Sequence, residues 1–217
     1  MILAVCGGKG GVGKTTTALN LAAELGAVLV DADLGMADVP AGRGPDLHDV
    51  LAGRADAVEA VRESGAVDVL PCGRTLAGAR EGDPRRLVDA LHAVADAYGD
   101  VVVDCPAGLR ADVGLPLLVA DACVLVTTPD RAALADALRA RSLAVELNAG
   151  LAAVAYNRAD SAGEEVANAL GAPVVAVPDE ESVAAAMDAG LPVAAADGEA
   201  AAVTRFAALA ERVRATQ

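Results

Sequence analysis

Apolar runs rich in Val, Leu and Ala alternate along this chain with stretches whose apolar positions recur every three or four residues. The runs predict strands at 1–6, 27–31, 67–71, 100–104, 122–128, 151–156 and 173–177. The helical spacing predicts helices at 15–25, 46–52, 55–64, 83–98, 130–148, 161–170, 180–189 and 199–214. Strand and helix in alternation mean an α/β fold: a mostly parallel central sheet with helices on both faces, a three-layer sandwich. The runs at 100–104 and 122–126 are apolar on both faces and belong in the middle of that sheet. Gly26, Gly65, Gly99, Gly150, Gly171 and Gly190 each follow a helical stretch, where a left-handed residue ends a helix. Near the end, Val203, Phe206, Ala210 and Val213 recur at helical spacing, the pattern of a helix docked on the core. With no internal repeat, linker or low-complexity tail, residues 1–217 read as one domain.

Composition narrows what such a domain can do. The net charge of −14 argues against a broad basic surface for nucleic acid or anionic lipid. No apolar run reaches the roughly 18–20 residues of a membrane span. The first residues read as a strand rather than a signal peptide, so the expected location is cytoplasmic. Abundant acid, almost no lysine and a single Phe suggest adaptation to a salty cytoplasm. At molar salt, with a Debye length of about 3 Å, self-repulsion is screened. Cys6, Cys72, Cys105 and Cys123 sit in or beside apolar runs without C-x-x-C spacing, and read as buried free thiols.

The chain has two lysines against fifteen arginines, and both lie in Lys9-Gly10-Gly11-Val12-Gly13-Lys14-Thr15-Thr16. Gly8 to Thr15 fits G-x-x-x-x-G-K-[ST], after a strand and before a helix, which is the context a phosphate-binding P-loop requires. The glycines let successive N–H groups face one concavity, and the following helix adds its positive end. Lys14 is expected on the β- and γ-phosphates, the Thr15 hydroxyl on Mg²⁺ and Thr16 on the α-phosphate. Lys9 exceeds what an ordinary P-loop specifies. Gly8-x-Gly10-x-x-Gly13, with Asp31 and Asp33 downstream, also fits a dinucleotide fingerprint, but such a site has no need for Lys14-Thr15.

Hydrolysis also needs carboxylates. Val101-Val102-Val103-Asp104 is a buried strand delivering one acid to its C-terminal edge, as a Walker B strand does, and Asp104 is expected to hold Mg²⁺ through water. The turn Pro106-Ala107-Gly108 offers the Gly108 N–H to a γ-phosphate. Asp33, in Val30-Asp31-Ala32-Asp33, is the candidate for orienting the attacking water, with Asp31 ranked below it. The irregular stretch to Pro45 would suit a nucleotide switch if mobile. His48 and His92 read as structural.

Assembled in order, these residues resemble the MinD/ParA family of deviant Walker A ATPases, and its MinD branch in particular. Lys9 to Thr16 is similar to that family's loop, Asp31-Ala-Asp-Leu-Gly-Met-Ala-Asp38 to its first switch and Asp104-Cys-Pro-Ala-Gly108 to its second. Leu47-His-Asp-Val-Leu-Ala-Gly53, Val126-Thr-Thr-Pro-Asp130, Val177-Pro-Asp-Glu-Glu-Ser-Val183 and Gly190-Leu-Pro-Val193 extend the likeness to about residue 193. The resemblance implies a Mg²⁺-dependent ATPase that dimerises on ATP. Lys9 would reach across to the partner copy's ATP, and turnover would be slow without a protein activator or cargo. It implies a role in positioning a cellular assembly such as a division site or polar machinery, with a ParA-like partition ATPase, a GTPase or a metal-cluster carrier as alternatives. Asn157 matches an adenine-reading position, while Asn157-Arg-Ala-Asp160 also looks like the guanine-reading N-K-x-D with Arg for Lys. The end of the chain lacks the basic amphipathic helix typical of MinD. Direct membrane binding is therefore not expected, any such contact would come through a partner, and DNA binding is not expected either.

Overall fold

The computed structural model describes residues 1–34, 43–63, 65–73, 76–108 and 111–216. Its strands are Ile2–Cys6 (β1), Val28–Asp31 (β2), Val69–Leu70 (β3), Val101–Asp104 (β4), Ala122–Thr127 (β5), Gly150–Asn157 (β6) and Val174–Val177 (β7). Its helices are Lys14–Leu25 (α1), Leu47–Leu51 (α2), Leu76–Glu81 (α3), Arg86–Tyr98 (α4), Ala111–Val119 (α5), Arg131–Glu146 (α6), Glu164–Leu170 (α7), Glu181–Asp188 (α8), Val193–Ala196 (α9) and Ala201–Arg214 (α10).

The strands form one parallel sheet in the order β3-β2-β4-β1-β5-β6-β7. β4 and β5, the two runs apolar on both faces, flank β1 at the centre. Alternation along each strand sends Ile2, Ala4, Val101 and Val103 into one core layer and Leu3, Val5 and Val102 into the other. α2, α4, α6 and α7 cover the first face. α1 and α10 cover the second with Leu19, Leu21, Leu209 and Val213. α6 turns Ala137, Ala140 and Ala144 inward, so small side chains let it lie close on the sheet. α10 is docked, as its spacing predicts: Phe206, Ala210 and Val213 are buried. Burying a residue like Phe206 contributes about 1.5–3 kcal/mol. Among the described residues, no helix is long and apolar enough to cross a membrane.

All seven predicted strands form, whereas one predicted helix does not and three helices were not predicted. The helix expected over 55–64 does not form. Asp56 accepts from the Val58 N–H at 2.9 Å, a single turn follows, and Arg62 then pairs with Val69 in an antiparallel bridge beside β3. Residues there bond across the sheet edge instead of up a helix. α3, α5 and α9 carried too little periodicity to be predicted; α5 contains Gly114 and Pro116, both of which read as breakers. Of the cap glycines, Gly26 and Gly171 end α1 and α7 in the left-handed region. Gly65 ends no helix, and Gly150 opens β6, the turn before it being made by Asn148 at φ 60°.

Candidate nucleotide-binding site

The parallel order brings the C-terminal ends of the strands to one edge, and the chain doubles back around β1, the usual place for a ligand crevice. The loop between β1 and α1 lies there. Gly13 precedes α1 at φ 93°, a left-handed angle, and a Cβ on it would stand 2.5 Å from Asn157 Nδ2. A Cβ on Gly8 would stand 2.6 Å from the Asp136 carbonyl of α6. The loop is therefore glycine where the backbone must turn or a neighbour closes in. α1 begins with no side-chain cap and no acid in its first turn, so its positive end remains available to an anion.

The two lysines occupy different environments. Lys14, the first residue of α1, is 8% exposed. The Lys9 side chain is 47% exposed, its Nζ lying 3.6 Å from Asp130 Oδ1. Asp130 also caps α6, accepting from the Ala132 and Ala133 N–H groups at 2.8 and 3.0 Å. Those two bonds first, and the Lys9 charge after them, hold its carboxyl below the usual range.

The acids gather beside the loop. Val5 pairs with Asp104 in the β1–β4 register and Asp31 with Asp104 in the β2–β4 register. The Thr15 hydroxyl donates to Asp104 Oδ2 at 2.5 Å. A hydroxyl and a carboxylate brought together are the hard oxygen donors that Mg²⁺ takes. Among the described residues, no group of three or more His, Cys, Asp or Glu could hold a metal. A cation between Thr15 and Asp104 would need phosphate oxygens and water to complete its shell. The Asp33 N–H donates to Asp31 Oδ1 at 3.2 Å, and the Asp33 carbonyl accepts from Cys72 Sγ at 3.1 Å. Gly35–Asp38, the rest of the expected switch, lie outside the described residues. The Pro106–Gly108 turn comes over the loop, with Ala107 Cβ 4.0 Å from a Cβ position on Gly10 and Gly108 at φ 97°.

Two adjoining cavities open from the loop. One, about 340 Å³, is lined by Gly11, Lys14 and Thr15; the other, about 300 Å³, by Asn157, Val177, Pro178 and Phe206. Gly13, Thr16, Arg158, Met187 and Asp188 line both. Asn157, at the end of β6 and 7% exposed, donates through Nδ2 to the Val12 carbonyl at 2.9 Å and to Thr17 Oγ1 at 3.3 Å. Its Oδ1 is buried without a hydrogen-bond partner.

Residues 3–193 match the CobQ/CobB/MinD/ParA nucleotide binding domain. The chain belongs to this family. An uncharacterized ATP-binding protein of Methanocaldococcus jannaschii is 34% identical over 203 residues, covering 86% of this chain and 77% of its own. The cell division ATPase MinD of Pyrococcus furiosus superposes with a TM-score of 0.91 at 28% identity, covering 99% of this chain and 98% of its own. The septum site-determining protein MinD of Pyrococcus horikoshii, complexed with Mg-ADP, gives 0.89 at 27% identity, with 97% and 94% covered. Within the MinD/ParA family the likeness thus extends to MinD over nearly the whole length.

For a MinD/ParA protein, several neighbours of the loop were not anticipated as site residues. Arg158, at the unusual φ of 58°, donates to the Gly11 carbonyl at 3.1 Å and lines both cavities. Asn20 of α1 bonds to Thr16 and to Val193. An asparagine between Leu19 and Leu21 was the signal available for it. His48 is structural: it is buried, its Nε2 3.2 Å from the Leu34 carbonyl and 3.6 Å from Cys72 Sγ, behind Asp33. All four cysteines are buried, and none of them forms a disulfide. The Cys6 thiol is pushed up by Cys123 and then by burial, and the Cys105 thiol by burial and then by Asp104.

Proposed function

We propose that this chain is an ATP-binding and ATP-hydrolysing dimer switch of MinD type, one domain over 1–217, that positions a cellular assembly. The observation that carries the choice of ATP is Asn157. Its amide nitrogen is committed to the loop, which leaves the oxygen as a buried, unpartnered acceptor of a residue that lines the second cavity. An acceptor there suits the amino group of adenine and repels the O6 of guanine. Asp160, which a guanine-reading motif would need at the base, instead lines a separate cavity with Arg205 and Arg212. The GTPase alternative loses its support accordingly. Burial of all four thiols likewise weakens the metal-cluster carrier.

In this reading the loop amides, Lys14 and Thr16 grip the phosphates, and Thr15 with Asp104 holds Mg²⁺, which neutralises phosphate charge when bound. Asp33 orients the attacking water, and the Gly108 N–H meets the γ-phosphate. Lys9 leaves Asp130 for the partner copy's ATP, where its charge stabilises the transition state. The Lys9–Asp130 pair is exposed and worth little by itself, so releasing it costs little. No strong base is evident among these groups, so turnover is slow until an activator or cargo binds. The reading keeps a cytoplasmic location with membrane contact through a partner, and the net charge of −14, unfavourable for anionic lipid, supports it.

Light scattering in high salt with Mg²⁺ tests this, on wild type and Lys9→Ala, each with ATP, ADP or GTP. Dimers of wild type with ATP alone, weakened or unable to hydrolyse in Lys9→Ala, are expected. An unchanged mass with every nucleotide would remove the switch.

A further inference from the structure

Asn20 is buried in the middle of α1, between Leu19 and Leu21 and one turn after the buried Thr17. Its Nδ2 donates to the Thr16 carbonyl at 2.8 Å, and its Oδ1 accepts from the Val193 N–H at 2.8 Å. Val193 is the first residue of α9, whose N–H has no acceptor within its own helix, so Asn20 satisfies a donor that burial would otherwise strand. The Val193 side chain joins Val177, Ala186, Ala202 and Phe206 in a small cluster separate from the two layers on the sheet. Val177 and Phe206 from that cluster line the cavity beside Asn157. At the other end of the tether, Thr16 lines both cavities.

We infer that Asn20 is a positioning residue that joins the two halves of the nucleotide site. It fixes the wall of the base cavity to the first turn of the phosphate-binding helix, so that the wall stands at its working distance before nucleotide arrives. The inference rests on the ATP reading above. Without the tether, α8 and α9 keep their apolar cluster, but a nucleotide must order them against the loop as it binds. That cost falls on ligands that carry a base and spares those that are phosphate alone.

Val193→Pro removes the tether's N–H while keeping an apolar side chain of similar size in the cluster. Proline lacks the N–H and is accepted at the first helical position, and Pro192, at φ −65° and ψ 148°, already has the backbone required before a proline. Calorimetric titration of wild type, Val193→Pro and Asn20→Ala with Mg-ATP, Mg-ADP and tripolyphosphate, beside urea unfolding without ligand, tests the inference. Val193→Pro should weaken ATP and ADP about tenfold while tripolyphosphate stays within about twofold, and Asn20→Ala should match it for ATP. Two results would overturn the coupling: ATP affinity unchanged in Val193→Pro, or ATP and tripolyphosphate weakened equally. If instead wild type binds tripolyphosphate as tightly as ATP, the base cavity takes no base, and the ATP reading falls together with the inference.

Discussion

The phosphate end and the base end of the proposed site are built on opposite principles. In this reading the phosphate end comes from one contiguous segment, residues 7–16, whose backbone would do the gripping, with Asp104 delivered by the neighbouring strand. The base end is assembled from Asn157, Val177, Pro178, Met187 and Phe206, which come from different elements and meet only through the fold. A local site tolerates change in the rest of the chain. A dispersed one depends on side-chain tethers, here Asn157 to the Val12 carbonyl and Asn20 to Val193.

The largest expected effect lies at the phosphate end. Lys14→Ala removes the one buried ammonium, and nucleotide and tripolyphosphate affinity should both fall by about a hundredfold, since charge-assisted bonds are the strong ones. A calorimetric titration in which tripolyphosphate binds undiminished would break the contrast between the two ends. Gly13→Ala strikes both ends at once, through a left-handed angle and a contact with Asn157 Nδ2. It should cost about 1–2 kcal/mol of stability in urea unfolding and weaken ATP and tripolyphosphate together. Asn157→Leu is aimed at the base end. It leaves the Val12 carbonyl without its amide donor, costing about 1–3 kcal/mol, and it removes the acceptor oxygen, so preference for ATP over GTP should shrink. Retained preference in competition binding would remove Asn157 from base reading.

The smallest effect belongs to Asp130→Asn. Asparagine caps a helix as well as aspartate, so α6 should persist while Lys9 loses its ion partner. Because folding depresses the Asp130 pKa, its contribution is present above the usual carboxylate range and is lost as pH falls through the lower folded value. The variant's stability should therefore vary less with pH in that acid window, with little difference from wild type at neutral pH. A difference that grew toward neutral pH would contradict this.

The same contrast explains what could be read from the chain. The sheet was legible because its strands are β-branched runs, and the central pair announced itself by being apolar on both faces. The loop was legible because its chemistry is backbone chemistry and needs glycine at fixed spacing. α5 was hidden by Gly114 and Pro116, and the helix expected at 55–64 was lost to a competition local periodicity cannot register: Arg62 bonds Val69 across the sheet edge. Asn157 was legible only as a candidate, and its orientation required the loop carbonyls to be in place. Asn20 lies between two leucines but was not singled out in sequence, because its partner Val193 is 173 positions away.

The central claim is that Lys9 works on a second copy's nucleotide, and the most direct measurement is ATP hydrolysis per chain as protein concentration is raised. A lysine acting across an interface predicts a per-chain rate that climbs with concentration in wild type and stays low at every concentration in Lys9→Ala. A wild-type rate that is the same at all concentrations, or a Lys9→Ala rate that climbs in parallel, would contradict it.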